Sequence, residues 1–218
     1  MQVSAQHKEP VHLIDYSKLS VNGITISKAI VDSIQAQTGK VFEPMKFYHW
    51  KDSFVDSFNY GHYDSTWHGI ILHDLNEAMA REIFNTYYPG ITKEGNYLYL
   101  THLHFDSSNK SLFDIAIVKA ANQFDIVKRV GTQAINFDIS NEKIIEKLKK
   151  WHSEANFKIV VVDNDRVEAI MLIKPENLKR FVKEIYEFSL EWMDIGVNYE
   201  AMLKDCKENN YFWLRWDL

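Results

Sequence analysis

Apolar residues recur at helical spacing in some stretches of the chain and alternate with polar ones in others. Ile26, Ile30 and Ile34 fall four apart, which predicts a helix from Thr25 to Gln37, with Gly39 beyond its end as a left-handed cap. Leu75, Met79 and Ile83 share a face of a second predicted helix, Leu75 to Tyr87, with Asp74 as N-cap and Pro89-Gly90 as its stop. His12-Leu13-Ile14 reads as a short strand. Asn96 to His104 alternates like a strand, and Leu112 to Val118 suits its antiparallel neighbour across Ser107-Ser108-Asn109-Lys110. A helix opens at Ser140 and turns Ile144, Ile145, Leu148 and Trp151 inward. The β-branched runs Lys158 to Val162 and Val167 to Ile173 flank Asp163-Asn164-Asp165-Arg166, as the arms of a hairpin do. Pro175 opens a helix to Phe188, with Leu178, Phe181, Val182 and Ile185 inward. A further helix covers Tyr199 to Lys207. Tyr211 to Trp216 closes the chain as an aromatic strand whose two faces are both largely apolar, the pattern of a central strand.

From Ile135 onward the order is strand, helix, strand, strand, helix, helix, strand, a split β-α-β-like layout with one added helix. Hairpins imply antiparallel neighbours, so the expected class is α+β, with a mixed, largely antiparallel sheet carrying helices. The expected division is an N-terminal α+β region over 1–94, holding an aromatic and His-rich segment at 43–74, and a C-terminal α+β domain over 95–218. One compact body embracing both is the alternative.

Composition narrows the function classes. The chain has 218 residues, 46% of them hydrophobic, enough for a sizeable core in one large domain or two small ones. Its net charge of −5 makes it a poor binder of phosphate backbones, so no nucleic-acid partner is expected. Cys206 is the lone cysteine and excludes an internal disulfide. Met1 to Glu9 lacks the apolar run of a signal peptide. Apolar stretches such as Ile159 to Val162 fall far short of the roughly 20 residues a spanning helix needs. The expectation is a cytoplasmic protein with no membrane partner. No Gly-rich phosphate loop and no Gly-x-Ser-x-Gly elbow occurs, so no cofactor and no serine triad are expected.

Three groups of side chains suggest chemistry. His102 and His104, separated by Leu103, share one face of an alternating strand, where two imidazoles can hold a metal, and Asp106 adds a carboxylate. The segment resembles the His-x-His-x-Asp-His motif of metallo-β-lactamase-type hydrolases, with Ser107 where the last His would stand. His62 or His68 would then complete the set. The second group is the segment 43–74 itself, where His49, His62, His68 and His73 are interleaved with Phe47, Tyr48, Trp50, Tyr60, Tyr63 and Trp67. The spacing is irregular, and the rings either pack on the core or form a recognition surface anchored by Trp50, Tyr60, Tyr63 and Trp67. The third is Asp163, Asp165 and Glu168, either a divalent-cation cluster or ordinary turn residues.

Four stretches carry a family resemblance. They are Asn122-Gln123-Phe124-Asp125-Ile126 with Thr132-Gln133-Ala134-Ile135-Asn136-Phe137; Asp165-Arg166-Val167-Glu168; Tyr186-Glu187-Phe188-Ser189-Leu190-Glu191 ahead of Asp194-Ile195-Gly196; and Phe212-Trp213-Leu214-Arg215-Trp216-Asp217. From about Tyr97 to the C-terminus the chain resembles a bacterial family known only as a domain of unknown function, number 4253. It departs from the pattern at Leu190-Glu191, where Pro-Asp is usual, and at Arg215-Trp216, where a doubled Trp is usual. The resemblance implies an α+β bacterial protein and supplies no reaction. It also suggests an immunity-type role, because members look like small intracellular proteins found around toxin systems. The functional expectation is a non-catalytic protein-binding module, with a metal-dependent hydrolase built on His102, His104 and Asp106 as the alternative.

Overall fold

The computed structural model describes residues 24–50, 61–64, 68–134, 137, 139–189 and 198–216, with backbone pairing alone at 48–50 and 61–62. The expected strand at His12 to Ile14 and the rings of Trp50, Tyr60 and Trp67 lie outside what is described.

A seven-stranded sheet organises the fold. Its strands are β1 (Glu43–Met45), β4 (Gly69–Asn76), β5 (Asn96–Phe105), β6 (Ser111–Lys119), β7 (Phe157–Val162), β8 (Arg166–Met171) and β9 (Tyr211–Arg215), in the spatial order β1-β4-β6-β5-β7-β8-β9. Only β5 and β7 run parallel; the other neighbours are antiparallel. The class is therefore α+β with a mixed, largely antiparallel sheet. A separate ribbon, β2 (Tyr48–Trp50) with β3 (Gly61–Tyr63), prolongs the β1–β4 hairpin, because Asp64 N–H donates to the Phe47 carbonyl and His68 N–H to that of Met45.

Helices cover both faces. On one side lie α1 (Lys28–Thr38) and α2 (Glu77–Lys93), packing Val31, Ile34, Ile83 and Phe84 onto Ile70, Leu72, Leu98, Ile115 and Ile117. On the other lie α3 (Gln123–Val130), α4 (Asn141–Ala155), α5 (Leu178–Phe188) and α6 (Tyr199–Asn209). They bury Ile126, Leu148, Trp151, Phe181 and Cys206 against Tyr99, Ala116, Phe157, Phe212 and Leu214. Alternation over Leu98 to Leu100 and over Ile115 to Val118 feeds both layers, which is why central strands here read as nearly continuous apolar runs. The expected division at 94/95 falls between α2 and β5. The sheet crosses it, since β4 from one side pairs with β6 from the other.

Several boundaries differ from the sequence reading for identifiable reasons. Gly69 to Asn76 is a strand that the helix expected from Leu75 overlaps; α2 starts later, with Asn76 rather than Asp74 as N-cap, its Oδ1 accepting from Met79 N–H at 3.0 Å. Pro89 does not end α2. The helix runs on to Lys93, because proline removes one backbone bond while burial of Ile91 holds the last turn. α3 is a helix that the apolar spacing does not predict; Asn122 caps Phe124 and Asp125, and Gly131 takes the left-handed position after it. The strand expected from Ile135 falls on positions that lie largely outside the described residues; beside them Ala134 and Ile139 form an isolated bridge. Finally, among the described strands β9 lies at the edge of the sheet, where a central place was expected. Its faces are apolar because helices cover it, and side chains bond backbone groups along its outer side. Ser189 Oγ bonds both the carbonyl and the N–H of Arg215, and the Cys206 thiol donates to the Tyr211 carbonyl. Burial pushes that thiol up to about 12, which makes it an inert, structural one.

Candidate functional site

Two bulges, one on each neighbour of β6, converge on Asp114. Along β4 the register runs from Leu72↔Ile115 to Leu75↔Phe113, so His73 and Asp74 together oppose Asp114. Along β5 it runs from Thr101↔Asp114 to His104↔Leu112, so His102 and Leu103 together oppose Phe113. Each is the two-against-one geometry that bends a strand and redirects its side chains. Asp74 and His102 sit at φ 57° and 50°, a left-handed conformation that costs a non-glycine residue about 1 kcal/mol or more. The backbone groups freed by the bulges find partners. Lys40 Nζ donates to the carbonyls of His73 and Asp74, both at 2.8 Å, and Leu103 N–H donates to Asp163 Oδ2 at 3.1 Å.

The bulges turn two imidazoles onto one carboxylate. Asp114 Oδ2 accepts from His73 Nδ1 at 2.8 Å and His102 Nδ1 at 2.9 Å, while Oδ1 accepts from Asp74 N–H at 3.0 Å. Burial by itself raises the Asp114 pKa, but these three hydrogen bonds reverse that and hold the carboxyl well below its usual range. An ionised carboxylate only accepts, so both Nδ1 atoms carry the proton and both Nε2 atoms face away from Asp114. The hydrogen bond to Asp114 raises His73, overcoming the opposing effect of burial. His104 completes the group: its Nδ1 lies 2.8 Å from the His102 carbonyl and its Nε2 lies 3.0 Å from Asp74 Oδ1. The carbonyl accepts the Nδ1 proton, and that bond, followed by the one to Asp74, raises His104.

A cavity of about 410 Å³ opens beside His102. Met45, Phe47, Tyr99 and Val130 supply apolar wall, and Lys46, Thr101, His102 and Asn164 supply polar atoms. Tyr63 borders it and is 64% exposed. Arg129 stacks over the Phe47 ring at 5.9 Å. The lining comes from β1 and the residues after it, β3, β5, the end of α3 and the β7–β8 turn.

Residues 114–217 match the model of a family described as a domain of unknown function, DUF4253. The match covers the C-terminal half of the chain. The match begins at Asp114, later than the resemblance expected from Tyr97, so β5 and its histidines lie outside the matched residues. No curated protein and no solved structure matches the chain. The site therefore joins an aspartate at the first matched position of the DUF4253 half to His73, Asp74, His102 and His104 from the residues before it.

The residues expected from the sequence are distributed as follows. His102 and His104 lie within the same cluster but take different partners, because the bulge at His102 breaks the alternation that would align them. Asp106 stands apart in the β5–β6 turn, where its Oδ1 accepts from the N–H groups of Ser108 and Lys110 at 2.8 and 2.9 Å. Those hydrogen bonds, that to Lys110 first, hold its carboxyl below the usual range. Among the other histidines, His73 joins the cluster, whereas His68 pairs with Asp64 at 2.8 Å and packs on Phe47. His49 and His62 are opposite each other in the ribbon. The described residues of 43–74 are split between core and surface: Met45 and Phe47 are buried and Tyr63 is exposed. Asp163 and Glu168 do not converge. Glu168 is fully buried between β8 and α2, bonded by Arg81 Nη2 at 2.8 Å and also by Tyr211 and Arg166.

Asp114 and Asp74 were missed as site residues. A single carboxylate in the apolar run Phe113-Asp114-Ile115-Ala116-Ile117 was the available signal, since a charge on a buried strand needs dedicated partners. Nothing in the sequence marks Asp74, which reads equally well as a helix cap.

Proposed function

We propose that the chain is a non-catalytic binding module that recognises another protein through the end of the sheet where the cavity opens. The observation that carries this reading is Tyr63, exposed at the mouth of a cavity walled by Met45, Phe47 and Tyr99. A tyrosine ring beside an apolar recess is a typical anchor of protein interfaces, large in area and cheap in lost side-chain entropy. Phe105, three residues beyond His102 on β5, is a second large exposed ring, 60% exposed. Two exposed rings of this size favour a protein surface as the ligand. The net charge of −5 argues against nucleic acid. Among the described residues no helix is long and apolar enough to cross a membrane. Within this reading the finer role is immunity-type, in a bacterial cytoplasm, with a toxin as the partner.

The test is capture with the purified full chain and with Tyr63→Ala. The expected result is one stoichiometric protein partner held by the wild type and bound at least about 30-fold more weakly by the variant, the loss of one hot-spot side chain. No stoichiometric partner, or one held equally by Tyr63→Ala, overturns the binding reading. Deleting the gene tests the finer role: unchanged sensitivity to the captured partner removes the immunity role and leaves the binding one standing.

A further inference from the structure

We propose that Asp74, His104 and Asp114 form a binding site for a divalent transition-metal ion of the zinc class. Each residue offers one ligand atom, and the three atoms lie within 4.8 Å of one another. His104 Nε2 and Asp74 Oδ1 are 3.0 Å apart. That separation is the 90° edge of an octahedral shell with bonds of about 2.1 Å, and a movement of about 0.4 Å opens it to the tetrahedral edge that zinc prefers. An ion between them replaces the proton they share.

The surroundings orient each ligand as metal sites require. The His104 Nδ1–H is held by the His102 carbonyl, which fixes the tautomer and leaves Nε2 for the ion; ligating histidines commonly carry such a second bond. Asp114 is buried, its side chain only 5% exposed, and is anchored by His73, His102 and the Asp74 N–H. Those bonds use three of the carboxylate's roughly four lone-pair sites and leave one for a metal. Asp74 and His104 are 59% and 42% exposed at the side chain, so an ion reaches them from solvent. One imidazole with two carboxylates suits zinc or manganese over calcium or magnesium, which favour oxygen donors alone. Three protein ligands leave at least one position open.

The two bulges are what make this set. Regular pairing of β4 and β5 with β6 would leave Asp74 and His104 on the alternation of their own strands, and Asp114 would lack its imidazole partners. The site also differs from the His-x-His-x-Asp arrangement read from the sequence, since Asp106 is committed to its turn.

Calorimetric titration of Zn²⁺ and of Mn²⁺ into the chelator-stripped full chain tests the proposal, with cobalt absorption bands as a second readout of ligand identity. The expected result is one ion per chain at micromolar affinity or tighter for at least one of the two metals. Binding falls at least about tenfold in Asp74→Asn and in His104→Gln and is retained in Asp106→Asn. Both weakening substitutions are at exposed side chains, so folding is preserved; circular dichroism verifies this, and Asp114→Asn is read only if it too is folded. No stoichiometric binding of either ion overturns the proposal. So does binding that survives His104→Gln and Asp74→Asn undiminished, or that depends on Asp106 instead.

Discussion

Arg81→Met tests the electrostatic lock between the two helical layers' sheet and α2. Glu168 has no solvent-exposed surface; its Oε2 accepts from Arg81 Nη2 at 2.8 Å and from the Tyr211 hydroxyl, and its Oε1 faces Arg166. Arg81 also lies over the rings of Tyr211 and Phe113, at 5.5 and 5.9 Å, and bonds Glu77 at 2.8 Å. Methionine keeps most of the aliphatic stem and removes the guanidinium. Breaking a buried pair from one side typically costs about 3–5 kcal/mol, because the remaining charge stays buried. Arg166 and Tyr211 still serve Glu168, which places the expected loss at the low end, about 3 kcal/mol. At about 2.1 cal/mol/K of unfolding entropy per residue, a chain of 218 residues loses about 2 °C per kcal/mol, so melting falls by about 6 °C. Urea unfolding of Arg81→Met, Glu168→Leu and the double variant completes a mutant cycle. The double variant is expected to lose less than the sum of the singles, by about 0.5–3 kcal/mol of coupling. Single variants each within about 1 kcal/mol of wild type would refute the reasoning, since that is the scale of an exposed pair.

Further expectations concern the site and the core. In chelator-containing buffer, the raised pKa of His73 contributes stability that is fully present below the ordinary histidine value of about 6.5 and is lost as pH rises through the folded value. The depressed pKa of Asp114 contributes stability present above about pH 3.9 and lost as pH falls toward its folded value. The wild-type advantage over His73→Gln in urea unfolding should therefore be largest between about pH 4 and 6.5 and shrink toward pH 9; a flat difference across that range contradicts the pairing. Trp151→Ala, at a fully buried ring edge-on to Phe181 and Phe188, should cost about 3–5 kcal/mol, and a loss under about 2 in urea would show that α4 packs otherwise. Gly69→Ala sets a Cβ 2.5 Å from the Ile117 carbonyl oxygen and 2.7 Å from Val118 Cγ1, so β4 must shift against β6 at about 1–3 kcal/mol; wild-type stability would rule out that close approach.

Local pattern determined much of this protein. The spacing of Ile144, Leu148 and Trp151 required a helix with one buried face. The turns at Ser107 to Lys110 and Asp163 to Arg166 required hairpins, and Gly39 required a helix end, because these outcomes follow from side-chain period and from φ preferences within a few residues. Both arms of β5 and β6 were legible for the same reason. Strand order was not, since both faces of β9 are apolar whatever lies beside it, and among the described residues it is the bonds of Ser189 and Cys206 along its outer side that distinguish an edge from a centre. The site was legible only as fragments. His102 and His104 stood out in a strand, and His73 in an irregular segment, but their convergence depends on two register shifts against β6. A bulge is a property of a strand pair, set by which residues of one chain segment oppose those of another, so no window of the sequence contains it. The tertiary structure alone decided that Asp114 sits between them, with Asp74 brought alongside by the same distortion.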